Sequence, residues 1–498
     1  MNAINYLGLL KLAAPETIVV VTALVVLGAD LLAMRDLDAR FRLIIGAVIS
    51  CAGCAAAIAL MAALPQHANF LEGMLVVDPL TRLIKIALLV LTIFALLLSV
   101  ETGFTTHVGE YFALILLAAV GMMFLVSSED ILMIFISLEL TSLSLYILTA
   151  FNKRSVKSAE AALKYFLFGG MSAAFTLFGL SLLYGLSGAT NLSQIAAAVQ
   201  GPKLDPLLVV AIVMTVIGFG FKVAAVPFHL WAPDAYEGAP APSAAFIASG
   251  SKVASFFVLA KVMMLGFKGA EGSGAWHAYL PGWVPVLAIL AAASMVLGNL
   301  AAIVQSSVRR LLAYSAIAHA GYLLLGILAH DAQSFASLVY YAVTYGLTTL
   351  GAFGVVSLVQ TRTGGDSISD FAGLSRRDSI ASFAMMIFML SLAGIPPLAG
   401  FFGKFYIFSS ALRTEPANLG LLWLVVLAIT MSAVSLYYYL QVLKQIYVAA
   451  PPPETAEVRT PLLSQAILAL LALAVIVLGC APDLLISAVI SAIKVAGL

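Results

Sequence analysis

Four charged residues stand inside long apolar runs of this sequence: Glu139 in ILMIFISLELTSLSLYIL, Lys222 in GFGFKVAAVPF, Lys252 in FIASGSKVASFFVLAKV and Lys404 in AGFFGKFYIF. Two histidines share such settings, His229 in VPFHLW and His319 in AYSAIAHAGYLLLG. Insertion scales place a lysine or aspartate at the bilayer centre at about 2.5 to 3.5 kcal/mol, so four or five such groups represent more than about 10 kcal/mol. Burial penalises the charged form of a lysine, and a neighbouring carboxylate restores it. At about 4 Å and an effective dielectric near 20 the pair interaction is about 4 kcal/mol, or roughly three pKa units. A glutamate that moves towards or away from a lysine therefore switches that lysine between holding and releasing a proton. Lysines as stations with hydroxyls between them make a proton relay. Thr141, Ser142 and Ser144 follow Glu139, Ser249 and Ser251 flank Lys252, and Tyr406 follows Lys404. Plainer readings stand beside this one: Lys252 or Lys261 snorkelling to an interface, the histidines as hydrogen-bonded packing residues, and the hydroxyls as helix-packing groups.

The elements that must hold these groups are apolar. Of 498 residues 62% are hydrophobic, and only 25 are Lys or Arg and 24 Asp or Glu, about one charge in ten where soluble proteins carry about one in four. Runs of roughly 20 apolar residues, the length that crosses a hydrocarbon core of about 30 Å, recur along the chain. They predict fourteen spans: about 15–35, 41–64, 80–101, 109–127, 129–150, 159–186, 206–230, 242–266, 282–303, 308–329, 334–360, 380–410, 419–447 and 461–480. The chain reads as an all-α polytopic membrane protein with a single membrane domain over 1–498. Pro15 and Glu16 open the first span and no small-x-small site follows it, so it is expected to remain as a helix. The net charge of +1, with scattered basic residues, argues against a nucleic-acid partner. Cys51, Cys54 and Cys480 are too few for a four-thiolate cluster, and no complete G-x-G-x-x-G or Walker A run is present. The expectation is a chain without its own cofactor or metal.

Orientation follows the loop cations. Loops after odd-numbered spans hold Arg35, Arg40, Arg42, Lys153, Arg154, Lys157, Arg309, Arg310, Arg362, Arg376, Arg377 and Arg459, while those after even-numbered spans hold little beyond Lys203, Lys268 and Arg413. The odd loops are predicted to be cytoplasmic and both termini to lie on the other side. Asp234 and Glu237 are expected near the aqueous end of the seventh span, and Lys153, Arg154, Lys157, Glu160 and Lys164 in a solvated loop and helix start. Two spans are broken, the seventh at Pro227 and the twelfth at Pro396 and Pro397, because proline removes an amide donor and clashes with the preceding turn. Interrupted helices five spans apart point to two inverted five-helix repeats, 109–266 and 282–448, with half-helix ends near the midplane. Two unrelated proline kinks are the alternative.

The stretches FKVAAVPFHLWAPDAYEGAPAP, RRLLAYSAIAHAGY and SLAGIPPLAGFFGKFYIF resemble the antiporter-like membrane subunits of respiratory complex I, the proton-pumping NADH:quinone oxidoreductase. The wording HLWAPDAYEGAP is more similar to the subunit N family, called subunit 2 in mitochondria, than to the PFHxWLPDAHxEAP version of subunits M and L. The resemblance implies fourteen helices in two inverted repeats with a proton path in each half. It implies Glu139, Lys222, Lys252 and Lys404 as relay residues, with His319 at a tenth-helix position that is polar in many members. His229, Pro227, Pro396 and Pro397 are supporting residues. Lys222 precedes its proline by five residues and Lys404 follows Pro397 by seven, so the two lysines are not strictly equivalent. The resemblance also implies a non-redox subunit of a translocase, with flavin, iron–sulfur clusters and quinone elsewhere in the complex. Its neighbours would be subunits M and K, and its membrane the bacterial inner (plasma) membrane, or the mitochondrial inner membrane if organellar. An Mrp-type cation/proton antiporter and a membrane subunit of a hydrogenase are the rival readings.

Overall fold

The computed structural model describes residues 6–199, 204–451 and 460–496; Lys203 and Arg459, two of the loop cations used above, lie outside them. Seventeen helices carry the architecture: α1 Ala14–Leu32, α2 Ala39–Met61, α3 Pro79–Ser99, α4 Val108–Ser127, α5 Ile131–Thr149, α6 Val156–Ser187, α7 Pro206–Val223, α8 Trp231–Gly238, α9 Ala241–Gly266, α10 Trp283–Ile303, α11 Val308–Leu328, α12 Ala332–Thr363, α13 Ser379–Ala393, α14 Ala399–Arg413, α15 Leu422–Tyr447, α16 Leu462–Cys480 and α17 Asp483–Ala496. Among the described residues thirteen helices are long and apolar enough to cross a membrane. The expected twelfth span is present as the broken pair α13 and α14. The expected seventh span ends earlier than read, at Val223 rather than residue 230, because Ala224 takes a left-handed conformation.

Five aspartates start helices. Asp78, Asp130, Asp205, Asp331 and Asp378 accept bonds from the first free amides of α3, α5, α7, α12 and α13. A carboxylate there satisfies orphan donors and meets the positive end of the helix dipole.

Burial sorts the bundle into an axis and a shell. The apolar windows of α9 and α12 are wholly buried and that of α11 is 94% buried, whereas α1, α2 and α16 bury 39%. α12 touches α3, α9, α11, α13, α14 and α16, so the molecule is built around it. Three features escaped the periodicity reading. A hairpin pairs Ala68–Phe70 with Leu75–Val77, Asn69 opposite Val76, and Gly73 accepts the Glu129 amide at 2.8 Å. The helix α17 turns Ile486, Val489 and Ile493 inward against α3 and α12; its 14 residues are fewer than the roughly 20 that cross a bilayer. Lys85 and Glu16 form an ion pair at 2.6 Å, both almost wholly buried, between α3 and α1.

That pair predicts a stability result. Removing one partner of a buried pair strands the other charge, at about 3 to 5 kcal/mol, whereas replacing both is nearly neutral. Lys85→Met is expected to lower the midpoint of heat-induced aggregation in detergent, and the double variant Glu16→Gln/Lys85→Met is expected to recover most of the loss.

Candidate functional site

Both breaks are built the same way. At the end of α7, Ala224 adopts φ +56° and the amide of Ala225 reaches back to the Gly220 carbonyl at 2.8 Å. At the end of α13, Gly394 adopts φ +88° and the amide of Ile395 reaches the Leu390 carbonyl at 3.0 Å. This is the left-handed helix stop, which leaves the last carbonyls without amide partners. Each break presents those carbonyls to a lysine. Lys252, from α9, donates to the carbonyl of Val223. Lys404, from α14, donates to the carbonyls of Leu392 and Ala393 at 2.9 and 3.1 Å and to the Ser432 hydroxyl at 2.8 Å. A cation at a helix C-terminus meets the negative end of the dipole. Lys252 and Lys404 thus each hold the free carbonyls of a helix break, and Lys222 holds neither set.

Lys222 does something else. It ends α7, donates to the Ser142 hydroxyl of α5 and lies 5.9 Å from the centre of the Tyr146 ring and 5.6 Å from that of Phe221. Glu139, one turn before Ser142 on the same helix, acts on it through space but makes no contact pair among the described residues. The segment between α7 and α8 is tied down around Pro227: the Val226 amide donates to Ser294 of α10 at 2.9 Å, and Trp231 Nε1 donates across the break to the Phe221 carbonyl at 2.9 Å while its ring stacks on Tyr165. His229 is buried in this segment, and its Nδ1 has no hydrogen-bond partner among the described residues. Pro396 and Pro397 lie between α13 and α14. There the chain is so tight that a Cβ on Gly400 would stand 1.9 Å from the Ser391 carbonyl.

His319 sits on the buried axis, where both Lys252 and Lys404 act on it electrostatically. Its Nδ1 meets the Tyr341 hydroxyl at 2.7 Å and its Nε2 the Tyr439 hydroxyl at 3.2 Å. Tyr439 in turn meets Ser315 at 2.5 Å. Beside it, Asn299 donates to the Tyr322 hydroxyl at 3.0 Å and accepts from that of Tyr438 at 3.0 Å, and Lys404 lies 5.1 Å from the Tyr322 ring centre. The tyrosines were not singled out from sequence, since an aromatic in an apolar run reads as packing. Tyr341 and Tyr439 each belong to a run of adjacent tyrosines, YY and YYY, and that is the signal that could have drawn attention to them.

The remaining buried charges separate cleanly from these. Lys85 and Lys261 each have a carboxylate in contact, Glu16 at 2.6 Å and Glu129 at 3.0 Å; Lys261 is a buried ion-pair partner and does not snorkel. Lys222, Lys252 and Lys404 have only neutral acceptors in contact. At the Arg-rich end, Asp234 pairs with Lys164 at 2.8 Å and Arg310 at 3.0 Å, and Glu237 with Arg310 at 2.8 Å. Burial alone would raise the Asp234 carboxyl, but the bonds from Lys164 and Arg310 outweigh it and hold it below its ordinary value. Arg309, read as a loop cation, is buried and holds the carbonyls of Tyr236 and Ala239. These groups anchor α8. Cations without a fixed counter-ion inside an apolar bundle can take up and hand on protons as nearby charges change.

The model of the family described as NADH:quinone oxidoreductase/Mrp antiporter, transmembrane, matches residues 128–433. A protein of Acidobacterium capsulatum named NADH-quinone oxidoreductase subunit N 2 is 53% identical over 97% of this chain and 99% of its own length. The NADH-quinone oxidoreductase subunit N of Desulforamulus reducens is 40% identical over 83% of this chain and 84% of its own. A chain of respiratory complex I from Thermus thermophilus superposes with a TM-score of 0.76 at 32% identity, covering 95% of this chain and 99% of that one. A chain of the Mrp complex from Dietzia shares the fold, with a TM-score of 0.82 at 20% identity over 98% and 97%.

Proposed function

This chain belongs to the NADH:quinone oxidoreductase/Mrp antiporter membrane family, and we propose that Glu139, Lys222, Lys252, His319 and Lys404 are the stations of its proton path. It is a multi-pass, proton-translocating membrane subunit of NADH:quinone oxidoreductase, of the subunit N type. Likeness to the Mrp chain extends to the fold alone, so the antiporter reading has the weaker support.

The observation that carries the relay is the contrast among the lysines of the apolar helices: half-buried Lys222 and buried Lys252 and Lys404 have neutral acceptors only, whereas buried Lys85 and Lys261 each have a carboxylate locked in contact. In this reading the helices from α4 to α9 and from α10 to α15 form the two inverted units, each with a broken helix whose free carbonyls hold a lysine. Quinone reduction elsewhere in the complex shifts charge along the membrane, and Glu139 swings towards or away from Lys222. At contact that pair is worth about 4 kcal/mol at an effective dielectric near 20, more than the roughly 2.3 kcal/mol that one charge takes to cross about 100 mV. The proton passes from Lys222 by Lys252 and His319 to Lys404. Flavin, iron–sulfur clusters and quinone belong to partner subunits, and this chain supplies only proton positions. Subunits M and K are its proposed neighbours. The Arg-rich loops are proposed to face the cytoplasm of a bacterial inner membrane, or the equivalent side of the mitochondrial one, with both termini opposite.

Lys404→Ala in the intact complex, reconstituted in vesicles, tests the reading. The expected result is a clear drop in protons moved per NADH oxidised, a ratio that does not depend on how much complex assembles. An unchanged ratio would overturn it.

A further inference from the structure

Among the described residues Lys404 has no carboxylate in contact, and four neutral groups surround its ammonium. Three are oxygens: the carbonyls of Leu392 and Ala393 at 2.9 and 3.1 Å and the Ser432 hydroxyl at 2.8 Å. The fourth is the ring of Tyr322, whose centre lies 5.1 Å away. An aromatic face carries the negative lobe of a quadrupole and attracts a cation without bearing a charge of its own. Stripped of water, such a contact favours the charged amine by roughly 30-fold. The ring does this only while its face is held towards the ammonium.

That ring is clamped at its tip and at its sides. Asn299, on α10, is fully buried, as is Tyr322 on α11. Burying a side-chain amide is costly unless its hydrogen bonds are made. Asn299 Nδ2 donates to the Met295 carbonyl at 2.7 Å and to the Tyr322 hydroxyl at 3.0 Å, while its oxygen accepts from the Tyr438 hydroxyl at 3.0 Å. Both amide hydrogens are thus engaged, and a flipped amide would set its oxygen against the Met295 carbonyl. The backbone brings the two residues together. Gly298 precedes Asn299, and a Cβ there would stand 2.5 Å from the Ala318 amide nitrogen; Gly321 precedes Tyr322, and a Cβ there would stand 2.7 Å from the Ala291 carbonyl oxygen. The missing side chains let α10 and α11 approach this closely. His319 and Phe408 meet the Tyr322 ring edge to face, with centres 5.5 and 6.0 Å away.

We propose that Asn299 is a positioning residue for Lys404, fixing the Tyr322 ring so that its face completes a cradle of neutral groups around the ammonium. The inference rests on the relay reading above, in which Lys404 takes up and releases a proton. A carboxylate in the same place would lock the ammonium, as Glu16 locks Lys85. A ring and three neutral oxygens keep the proton on the amine and still let it go when a nearby charge moves. Asn299 acts through the ring, by way of the Tyr322 hydroxyl.

The test puts phenylalanine and its mono-, di- and trifluorinated forms in place of Tyr322 by nonsense suppression, in the intact complex reconstituted in vesicles. Fluorine drains the negative face stepwise while the ring keeps its shape. Protons moved per NADH oxidised should fall along the series, from a partial loss in Tyr322→Phe to the level of Lys404→Ala in the trifluorinated form. Asn299→Leu, of similar volume, should match Tyr322→Phe. The double variant should be no worse than either single one, because the amide reaches the ring only through that hydroxyl. Tyr438→Phe is the control: it cuts the other tyrosine bond of the amide and leaves Tyr322 held, so it should pump as the wild type does. If Lys404→Ala pumps normally, the relay reading itself is lost and the cradle with it. If Lys404→Ala fails while the fluorinated series is flat, the relay stands and the cradle is overturned. A wild-type ratio in Asn299→Leu would overturn the positioning role. Additive losses in the double variant, or an equal loss in Tyr438→Phe, would overturn it too, as marks of packing damage. Should Asn299→Leu not assemble, Tyr322→Phe severs the same bond, and a wild-type ratio there overturns the role equally.

Discussion

Complexes carrying Lys222→Ala are expected to oxidise NADH with coupled proton pumping sharply reduced or lost. Lys222 is the only cation on α5 or the last turn of α7, and its contact acceptor is a neutral hydroxyl. With the amine gone, nothing at that point can take the proton, and removing a group that acts as acid and base slows its own transfer step by at least about 100-fold. Lys222→Arg is expected to fail as well. A guanidinium keeps the positive charge but does not release its proton near neutral pH, so charge and proton exchange are tested apart. Proton uptake followed with a pH-sensitive dye in reconstituted vesicles gives the readout. A wild-type ratio of protons to NADH in Lys222→Ala would remove Lys222 from the path, and full activity in Lys222→Arg would mean that the residue acts by charge alone.

The second large effect is expected at Glu139, and the structure sharpens it. Lys222 rests on Ser142 while Glu139, one turn away on α5, acts from beyond contact distance. If the switch is electrostatic, Glu139→Gln, which keeps the shape and deletes the charge, should depress pumping nearly as far as Lys222→Ala. Ser142→Ala should be milder, since the ammonium that loses its hydroxyl partner can still meet the carboxylate. The reverse order, with Ser142→Ala severe and Glu139→Gln near wild type, would show that a chain of contacts and not a moving charge controls Lys222.

How much of this was legible from residues alone varies with the range of the interaction. The proposed stations could be found because a charge in an apolar run is conspicuous whatever surrounds it, and Glu139, Lys222, Lys252 and Lys404 stand in such runs. The breaks could be found because Pro227, Pro396 and Pro397 act on their own helices. The seventh helix nevertheless stops three residues before its proline, at Ala224, where an alanine in a left-handed conformation gives no local signal. Lys85 also sits within an apolar helix, yet its partner Glu16 is 69 residues earlier and no local pattern joins them. The same blindness hid Tyr341 and Tyr439, whose meaning comes from a histidine on a third helix.

By itself, then, the sequence determined the apolar spans, which two of them carry breaks and which charges stand inside them, because each depends on composition within about 20 residues. The tertiary structure decided which of those charges are already neutralised by a contact partner and which are not. It also brought a lysine to each helix break, Lys252 at one and Lys404 at the other, and set a histidine against two tyrosines. Those are matters of which helix faces which, and in a bundle whose axis is wholly buried the pairing is set by packing between segments far apart in the chain.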